Sequence, residues 1–284
     1  MSQPLTIDTD MMNRVTGIVK GVIETVVMPS FRALRPEDIH RKDTPGDPED
    51  VVTVVDRETE RRLVELLSGV VQGATFVGEE AVSEDPHILS ALSGSAPAWL
   101  IDPIDGTKNF AKGDPRFGVM LALVEQGVTR ASWMGVPAAR RGAYVVAALH
   151  GEGTLINDIR SDPPMHSNPP RGTVHTRMAP PEIAGVVIDR LRGRYVPIES
   201  TGSAATEYSG IIQGEKDFVI YYRLLPWDHA PGALAITEAG GAAIHLSGEP
   251  YSPLSPNQIT IFAASRALAE TVREWITGAS AAQP

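Results

Sequence analysis

The chain contains no cysteine among its 284 residues. This absence excludes disulfides, thiolate catalysis and zinc–thiolate sites, and it leaves the redox compartment undefined. Basic residues are also scarce, with 25 Lys and Arg against 35 Asp and Glu and a net charge of −10. That charge argues against nucleic acid as the main partner, because binding to a phosphate backbone needs a basic face. An acidic protein still binds phosphate where metal ions supply the positive charge.

Long apolar runs are missing as well. No run reaches 18 residues, and the first ten residues, MSQPLTIDTD, lack a basic segment followed by an apolar one. We therefore expect neither a membrane span nor a signal peptide, and we expect a soluble cytoplasmic protein. A hydrophobic content of 42% indicates a globular chain, long enough for one large domain or two closely associated lobes.

The first half of the sequence mixes helical and strand patterns. Apolar residues from Met11 to Val27 recur at helical spacing, and Pro29 is expected to end that helix. VVTVV predicts a short strand, followed by a helix that Asp56 caps and that runs to about Leu67. TFVG and AWLI predict two further strands, and the short apolar runs from Phe117 to Leu149 predict antiparallel hairpins.

In the second half, helix and strand patterns alternate. The segment from Ser161 to Pro181 holds six prolines and is expected to be a loop. We predict a layered α/β fold with a soft boundary near residue 155. Residues 1–155 would form an α+β lobe and residues 156–284 an α/β lobe, together one functional unit. The helices predicted after residue 181 are Ile183–Leu191, Ser203–Gln213, Asp228–Ala239 and Ala267–Ile276, and the strands are DFVIYY, AAIHL and ITIFAAS.

Four acidic residues follow the ends of apolar elements: Glu79, Asp102, Asp105 and Asp228. One such acid alone is usually a turn residue or a helix cap, and capping by itself accounts for Asp228. Taken together they predict a cluster at one edge of a sheet. The sequence DPIDG holds two of them close together, so a cation is needed to keep both ionised. A cluster of oxygen ligands without His or Cys favours Mg²⁺.

Two longer motifs carry a family resemblance. DPIDGT begins at Asp102, and PWDHAPGALAITEAGG begins at Pro226, with VVTVVD and VGEE upstream in the expected order. In these motifs the chain resembles the inositol monophosphatase-like, magnesium-dependent phosphatases, from about Met11 to Ile276. The resemblance implies an αβαβα sandwich of the type shared with fructose-1,6-bisphosphatase.

The resemblance also implies roles for particular residues. Two or three Mg²⁺ ions are expected, the third bound more weakly near Glu79 and Glu80, with Glu80 among the catalytic residues. Asp56 and Thr107 would form a dyad that orients and deprotonates the attacking water. Glu79, Asp102 and the Ile104 carbonyl would hold the first metal, and Asp102, Asp105 and Asp228 the second. The expected substrate contacts are the backbone N–H groups of Gly106 and Thr107, and also Gly202, Ser203, Ala204, Tyr221 and Arg223.

The sequence departs from the family pattern near the second motif. Inositol monophosphatases usually carry a glutamate seven residues before the helix-opening aspartate, and Tyr221 stands there in this chain. Arg223 either holds a second anionic group of the substrate or is an exposed arginine at the end of a strand. His229, where the family usually has a small or aliphatic residue, either faces the leaving group or points away, and we expect it to point away.

The sequence therefore predicts an enzyme that hydrolyses a small phosphate monoester with Mg²⁺, an ester similar to inositol 1-phosphate. Alternative substrates are 3′-phosphoadenosine 5′-phosphate, histidinol phosphate and fructose 1,6-bisphosphate. A relative of the family that regulates by binding RNA or protein is an alternative of another class, and a structural protein with acidic helix caps is a third. Family likeness also predicts lithium inhibition and a homodimer.

Overall fold

Two main β-sheets with helices on their faces make up the fold. The computed structural model describes residues 5–44, 47–139 and 142–278. The helices are α1 (Thr9–Val22), α2 (Met28–Ser30), α3 (Val54–Leu67), α4 (Glu79–Glu84), α5 (Thr107–Ala111), α6 (Pro181–Leu191), α7 (Ala204–Ile212), α8 (Pro226–Glu238) and α9 (Arg266–Thr277). The strands are β1 (Ile39–Arg41), β2 (Val51–Thr53), β3 (Thr75–Gly78), β4 (Ala98–Asp105), β5 (Gly118–Glu125), β6 (Val128–Val136), β7 (Tyr144–Leu149), β8 (Gly153–Ile156), β9 (Ile159–Arg160), β10 (Arg171–His175), β11 (Val196–Pro197), β12 (Phe218–Tyr221), β13 (Ala242–His245) and β14 (Thr260–Ala263).

The sheets and helices stack in five layers. The seven-stranded sheet has the order β3-β4-β5-β6-β7-β8-β9, and the five-stranded sheet has the order β11-β10-β12-β14-β13. Helices α1 and α3 pack on the outer face of the larger sheet. Helices α7 and α8 lie between the two sheets, and α6 and α9 cover the far face of the smaller one. The predicted αβαβα sandwich is confirmed.

Burial on both faces accounts for the apolar character of the central strands. In β5, Val119 and Leu121 pack in the cluster with α1 and α3, while Met120 between them packs with α7 and α8. Alternate side chains point to opposite faces of a strand, so a strand covered on both sides needs apolar residues at every position. The hairpin from β5 to β6 turns at Gln126 and Gly127, both at positive φ, which confirms the antiparallel pairing expected there.

The helix after VVTVV begins earlier than predicted. The strand ends at Thr53, and α3 starts at Val54. Thr53 is the N-cap, because its hydroxyl accepts from the Val55 N–H at 3.2 Å. Asp56 is the third residue of the helix and accepts from the Thr53 N–H at 2.8 Å, which completes a capping box. The prediction that Asp56 itself caps the helix was wrong.

The first helical stretch ends at Ser30, one residue after Pro29, close to the predicted end, and a π-helical segment, Ile23–Val27, joins α1 to α2. Another predicted boundary differs. The segment from Ser161 to Pro181 is not all loop, since it contains β10, which pairs with β11 and β12.

The chain passes from one sheet to the other between Arg160 and Arg171. Strand β8 spans residue 155 and still belongs to the first sheet. The division into lobes at 155 remains a proposal. In the described ranges, no helix is long and apolar enough to cross a membrane.

The packing of α7 on α8 depends on a glycine. A Cβ at Gly232 would overlap the ring of Tyr208, which is fully buried between the sheets. We expect Gly232→Ala to lower the free energy of unfolding by about 1–3 kcal/mol, because a well-packed core resists added atoms. Gly17→Ala is the matched control, since a Cβ there meets nothing within 4 Å. Its helical position predicts a gain of about 0.5–1 kcal/mol. Urea unfolding measures the stability of both variants. Equal stability would contradict the claim that α7 packs on α8 through Gly232.

Candidate active site

The end of β4 brings Asp102 and Asp105 to the middle of the molecule. Strand β4 pairs regularly with β5 up to Asp102 opposite Met120, and the register then shifts before Asp105 pairs with Gly118. Such an irregularity bends a strand and re-aims its side chains. Both carboxylates are almost fully buried.

Asp105 is held by the first turn of α7. Its Oδ1 accepts from the Ala204 N–H at 2.9 Å, and its Oδ2 accepts from Ser203 Oγ at 2.5 Å and from the Ala205 N–H at 2.7 Å. Burial raises the pKa of Asp105 to about 6, although these hydrogen bonds favour the ionised form.

Asp102 has no comparable support. Its Oδ1 is buried and has no hydrogen-bond partner in the described part of the chain. Its side chain makes a hydrogen bond with Asp228, which the first turn of α8 brings across from the other sheet. Burial and the nearby Glu79 raise the pKa of both aspartates well above the usual range. One of two touching carboxyls must carry a proton unless a cation lies nearby.

Glu79 and Glu80 begin α4 directly after β3. Lys42 Nζ lies 2.8 Å from Glu79 Oε1 and 2.6 Å from Glu80 Oε1. Burial and Glu79 raise the pKa of Glu80 to about 7, against the effect of Lys42. Although burial opposes it, the two glutamates hold the pKa of Lys42 well above its ordinary value. The Lys42 ammonium therefore neutralises part of this wall.

A buried glutamate on α3 fixes the start of α4. Glu60 Oε2 accepts from the Glu80 N–H at 2.9 Å, and Glu60 Oε1 accepts from the Ala81 N–H at 3.0 Å. Burial raises the pKa of Glu60 to about 7. Glu60 was not among the residues predicted from the sequence. Its signal was an acid on the apolar side of a helix, one turn after Asp56 and one before Leu63.

Thr107 and Asp56 lie together, as the dyad requires. Thr107 Oγ1 is 2.9 Å from Asp56 Oδ1 and 2.8 Å from the carbonyl oxygen of Ile104. The hydroxyl has one proton, so it donates to one of these acceptors at a time. The other oxygen of Asp56 accepts from the N–H of Thr53 at 2.8 Å and from its hydroxyl at 2.5 Å. Burial raises the pKa of Asp56 to about 6.

Gly106 makes the turn between the acids and α5. Its φ of +82° is strained for any other residue, and a Cβ there would meet the Ser203 Cβ at 3.0 Å and the Arg116 carbonyl at 3.1 Å. Glycine is therefore required for the DPIDGT turn to approach the loop before α7.

These groups surround one cavity of about 400 Å³. Asp56 and Glu80 lie behind its wall, in contact with Thr107 and Lys42. The predicted site residues that line it are Glu79, Asp102, Ile104, Asp105, Gly106, Thr107, Gly202, Ser203, Ala204, Tyr221, Arg223 and Asp228. The other lining residues are Asp47, Asp50, Lys108, His175, Arg177, Met178, Ser200, Leu225 and His229.

The carboxylate and carbonyl oxygens of the cavity suit a hard cation, although their present positions do not form a coordination site. Within residues 5–44, 47–139 and 142–278, no three His, Asp or Glu side chains are placed to hold a metal ion as they stand. The reason lies in their present partners: Glu79 accepts from Lys42, and Asp105 accepts from α7. Asp102 Oδ1 nevertheless has no hydrogen-bond partner in the described residues, and burial and the nearby Glu79 and Asp105 raise the pKa of this carboxyl, so a bound cation would stabilise it. The residues therefore fit Mg²⁺ after their side chains rearrange.

The prediction that His229 points away from the cavity was wrong. It lines the wall beside Asp228, and both ring nitrogens are engaged. Nδ1 pairs with the hydroxyl of Tyr208, and Nε2 lies 2.8 Å from the Arg223 carbonyl oxygen. The ring of Tyr221 stacks on His175, with centroids 4.4 Å apart and an interplanar angle of 3°. His175 was missed because it lies in the segment predicted to be loop.

Two buried aspartates have pKa values shifted in opposite directions, so replacing each by asparagine should change the stability of the fold in opposite directions. Burial destabilises the ionised Asp102, so Asp102→Asn should raise the urea midpoint at pH 8 in the presence of a chelator. Asp217 is also buried, but the Arg171 side chain holds its pKa below the ordinary value against the effect of burial. Its stabilising effect is present above the unfolded pKa, so Asp217→Asn should lower stability at pH 8 by about 1–3 kcal/mol. The same direction of change in both variants would contradict this account.

Comparison with known proteins identifies the family. A model of the inositol monophosphatase family matches residues 11–279. A fructose-1,6-bisphosphatase/inositol-1-monophosphatase of Thermotoga maritima is 31% identical over 210 residues, which cover 74% of this chain and 77% of that protein. The Nus factor SuhB of Pasteurella multocida is 30% identical over 209 residues, covering 70% and 73%.

A solved structure has the same fold over nearly the whole chain. The Thermotoga maritima IMPase superposes with a TM-score of 0.76 at 25% identity, covering 95% of this chain and 98% of that one. The match of the family model to almost the full length decides the assignment. The chain belongs to the inositol monophosphatase family.

Proposed function

We propose that this protein is a Mg²⁺-dependent phosphatase that hydrolyses small phosphate monoesters. The observation that carries the proposal is the meeting of four acids in one cavity beside the Thr107–Asp56 pair: two buried acids from β4 and two half-buried ones from α4 and α8. An acidic cavity binds a phosphate dianion only when cations offset the repulsion.

The chain offers oxygen ligands for two metal ions. Glu79, Asp102 and the Ile104 carbonyl would hold one ion, and Asp102, Asp105 and Asp228 the other, with a weaker third site near Glu79 and Glu80. When bound, Mg²⁺ lowers the pKa of a water ligand and offsets the charge of the phosphate oxygens.

The remaining steps fall to the protein's own groups. Asp56, when ionised, accepts a hydrogen bond from the Thr107 hydroxyl, and the hydroxyl oxygen then accepts a hydrogen bond from the attacking water. When the water loses its proton to Thr107, the Thr107 proton passes to Asp56. The backbone N–H groups of Gly106 and Thr107 bind phosphate oxygens. The Asp228 carboxyl lies where it can hold a water that returns a proton to the leaving alkoxide. Catalysis of this kind works by positioning and charge stabilisation, without a covalent intermediate.

An ester similar to inositol 1-phosphate is the first substrate candidate, since relatives are named for inositol-1-monophosphatase activity. Fructose 1,6-bisphosphate is the second, because the Thermotoga relative carries that name as well. 3′-Phosphoadenosine 5′-phosphate and histidinol phosphate complete the set. Lithium inhibition, a homodimer and a cytoplasmic location belong to the same proposal.

A regulatory role is a second candidate, favoured by the 30% identity to a protein named Nus factor SuhB. The two candidates are separable by assay. Phosphate release from a panel of these esters, with Mg²⁺ and with EDTA, tests the enzyme. Absence of Mg²⁺-dependent release from every ester would overturn the phosphatase and leave the regulatory role, in which protein or RNA is bound without turnover.

Asp102→Asn should abolish turnover while the fold is retained. Asp102 is the one side chain assigned to both metal ions, so its loss should lower kcat by on the order of 10³-fold or more. Asp189→Asn is the control, because that acid is exposed on α6 and Arg192 is its only ion-pair partner in the described part of the chain. Steady-state kinetics at saturating Mg²⁺ measures both. Activity of Asp102→Asn within tenfold of the parent would contradict the metal assignment.

Magnesium binding should weaken as the pH falls from 8 to 5.5. Asp105 and Glu80 have pKa values raised to about 6 and about 7, so protons compete for these carboxylates below neutrality. The rise in melting temperature caused by 10 mM Mg²⁺ should be largest at pH 8 and small at pH 5.5. Comparison with EDTA at each pH removes the effects of other titrating groups. A rise independent of pH would contradict the prediction.

A further inference from the structure

Arg223 stands apart from the other cations around the cavity. Lys108 and Arg177 also line it, but both bind Asp47, at 2.8 Å and 2.7 Å. In the described residues, the Arg223 guanidinium has neither a carboxylate within ion-pair distance nor a side-chain hydrogen bond. The residue lines the cavity that also contains Asp228. Its donors are therefore available to a ligand.

The backbone that carries Arg223 is held rigidly. Its carbonyl oxygen is 2.8 Å from His229 Nε2, and the next N–H, of Leu224, donates to Asn257 Oδ1 at 2.8 Å. Both groups belong to one peptide unit, which is thus fixed on two sides. Because a carbonyl only accepts, His229 carries its proton on Nε2, and its Nδ1 accepts from Tyr208. A cation on so fixed a backbone is placed before the ligand arrives, which favours binding.

The acids near Arg177 on this side of the cavity, Asp47 and Asp50, are partly offset, because Asp47 binds both Lys108 and Arg177. The position where an acid is usual in the family holds Tyr221, stacked on His175. Arg177, Met178 and Leu225 continue the wall. Beside the carboxylates proposed to hold metal, the cavity thus offers one cation, Arg223, that has no ion-pair partner in the described residues. A ligand with one phosphate, held at those carboxylates, would leave that cation unused.

We propose that the physiological substrate carries a second anionic group, a phosphate or a carboxylate, which the Arg223 guanidinium binds. The inference rests on the proposed phosphatase function and narrows its substrate class. Arginine binds phosphate and carboxylate through two parallel N–H donors, a geometry that lysine does not reproduce.

The test compares esters that differ only in the second anion. Pairs are fructose 1,6-bisphosphate with fructose 1-phosphate, and inositol 1,4-bisphosphate with inositol 1-phosphate. The parent should prefer the bisphosphates in kcat/KM by about 10- to 100-fold, the range for a hydrogen-bonded charge pair. Arg223→Gln should lower kcat/KM for the bisphosphates by about 10- to 100-fold more than for the monophosphates, and Arg223→Lys should restore part of that difference. Arg194→Gln, on an exposed arginine outside the cavity, is the control and should match the parent.

A binding measurement tests this inference separately from the proposed phosphatase activity. Calorimetry in Mg²⁺ compares 1,3-propanediylbisphosphonate with propylphosphonate, which are not hydrolysed. Tighter binding of the bisphosphonate to the parent, lost in Arg223→Gln, supports the inference even if no ester is turned over. Equal binding of the two phosphonates, or equal effects of Arg223→Gln on both members of each ester pair, would overturn it.

Discussion

Repulsion among buried carboxylates is the constraint on which the rest of the structure depends. Asp102 and Asp228 touch, and burial raises the pKa of both. Each neighbouring acid has its own compensation: Asp105 has the first turn of α7, and Glu79 and Glu80 have Lys42. Asp102 has the least, and it is the residue that two metal ions would share. The cluster of carboxylates therefore lowers the stability of the folded protein, as functional sites commonly do.

The five-layered fold explains how these acids meet. Strand β4 is buried on both faces, and its end points into the layer that α7 and α8 occupy. Helix α8 brings Asp228 in its first turn, and the start of α7 supplies the donors that hold Asp105. Gly106 lets these segments approach closely, since a side chain there would meet Ser203. Small residues and tight turns therefore matter to the site as much as the charged ones.

Much of this could be predicted from the sequence because the decisive signals are local. The DPIDGT motif places two acids and the Thr107 hydroxyl within six residues, and the positions of Glu79 and Asp228 after apolar elements indicated the other two acids, while the family resemblance supplied their expected roles. Other features depend on contacts that no local pattern encodes. Whether Thr53 or Asp56 caps α3 is decided by single hydrogen bonds. Strand β10 has few apolar residues and exists because β11 and β12 flank it. The orientation of His229 depends on Tyr208 and on the Arg223 carbonyl.

The shared position of α7 and α8 between the sheets has a consequence for cooperativity. Their apolar side chains pack in one cluster with strands of both sheets, including Met120 of the larger and Phe262 of the smaller. Neither sheet can lose its structure without exposing this common layer, so the two halves should melt in a single transition. Disassembly of either half also scatters the acids, and the cavity therefore exists only while the whole chain is folded.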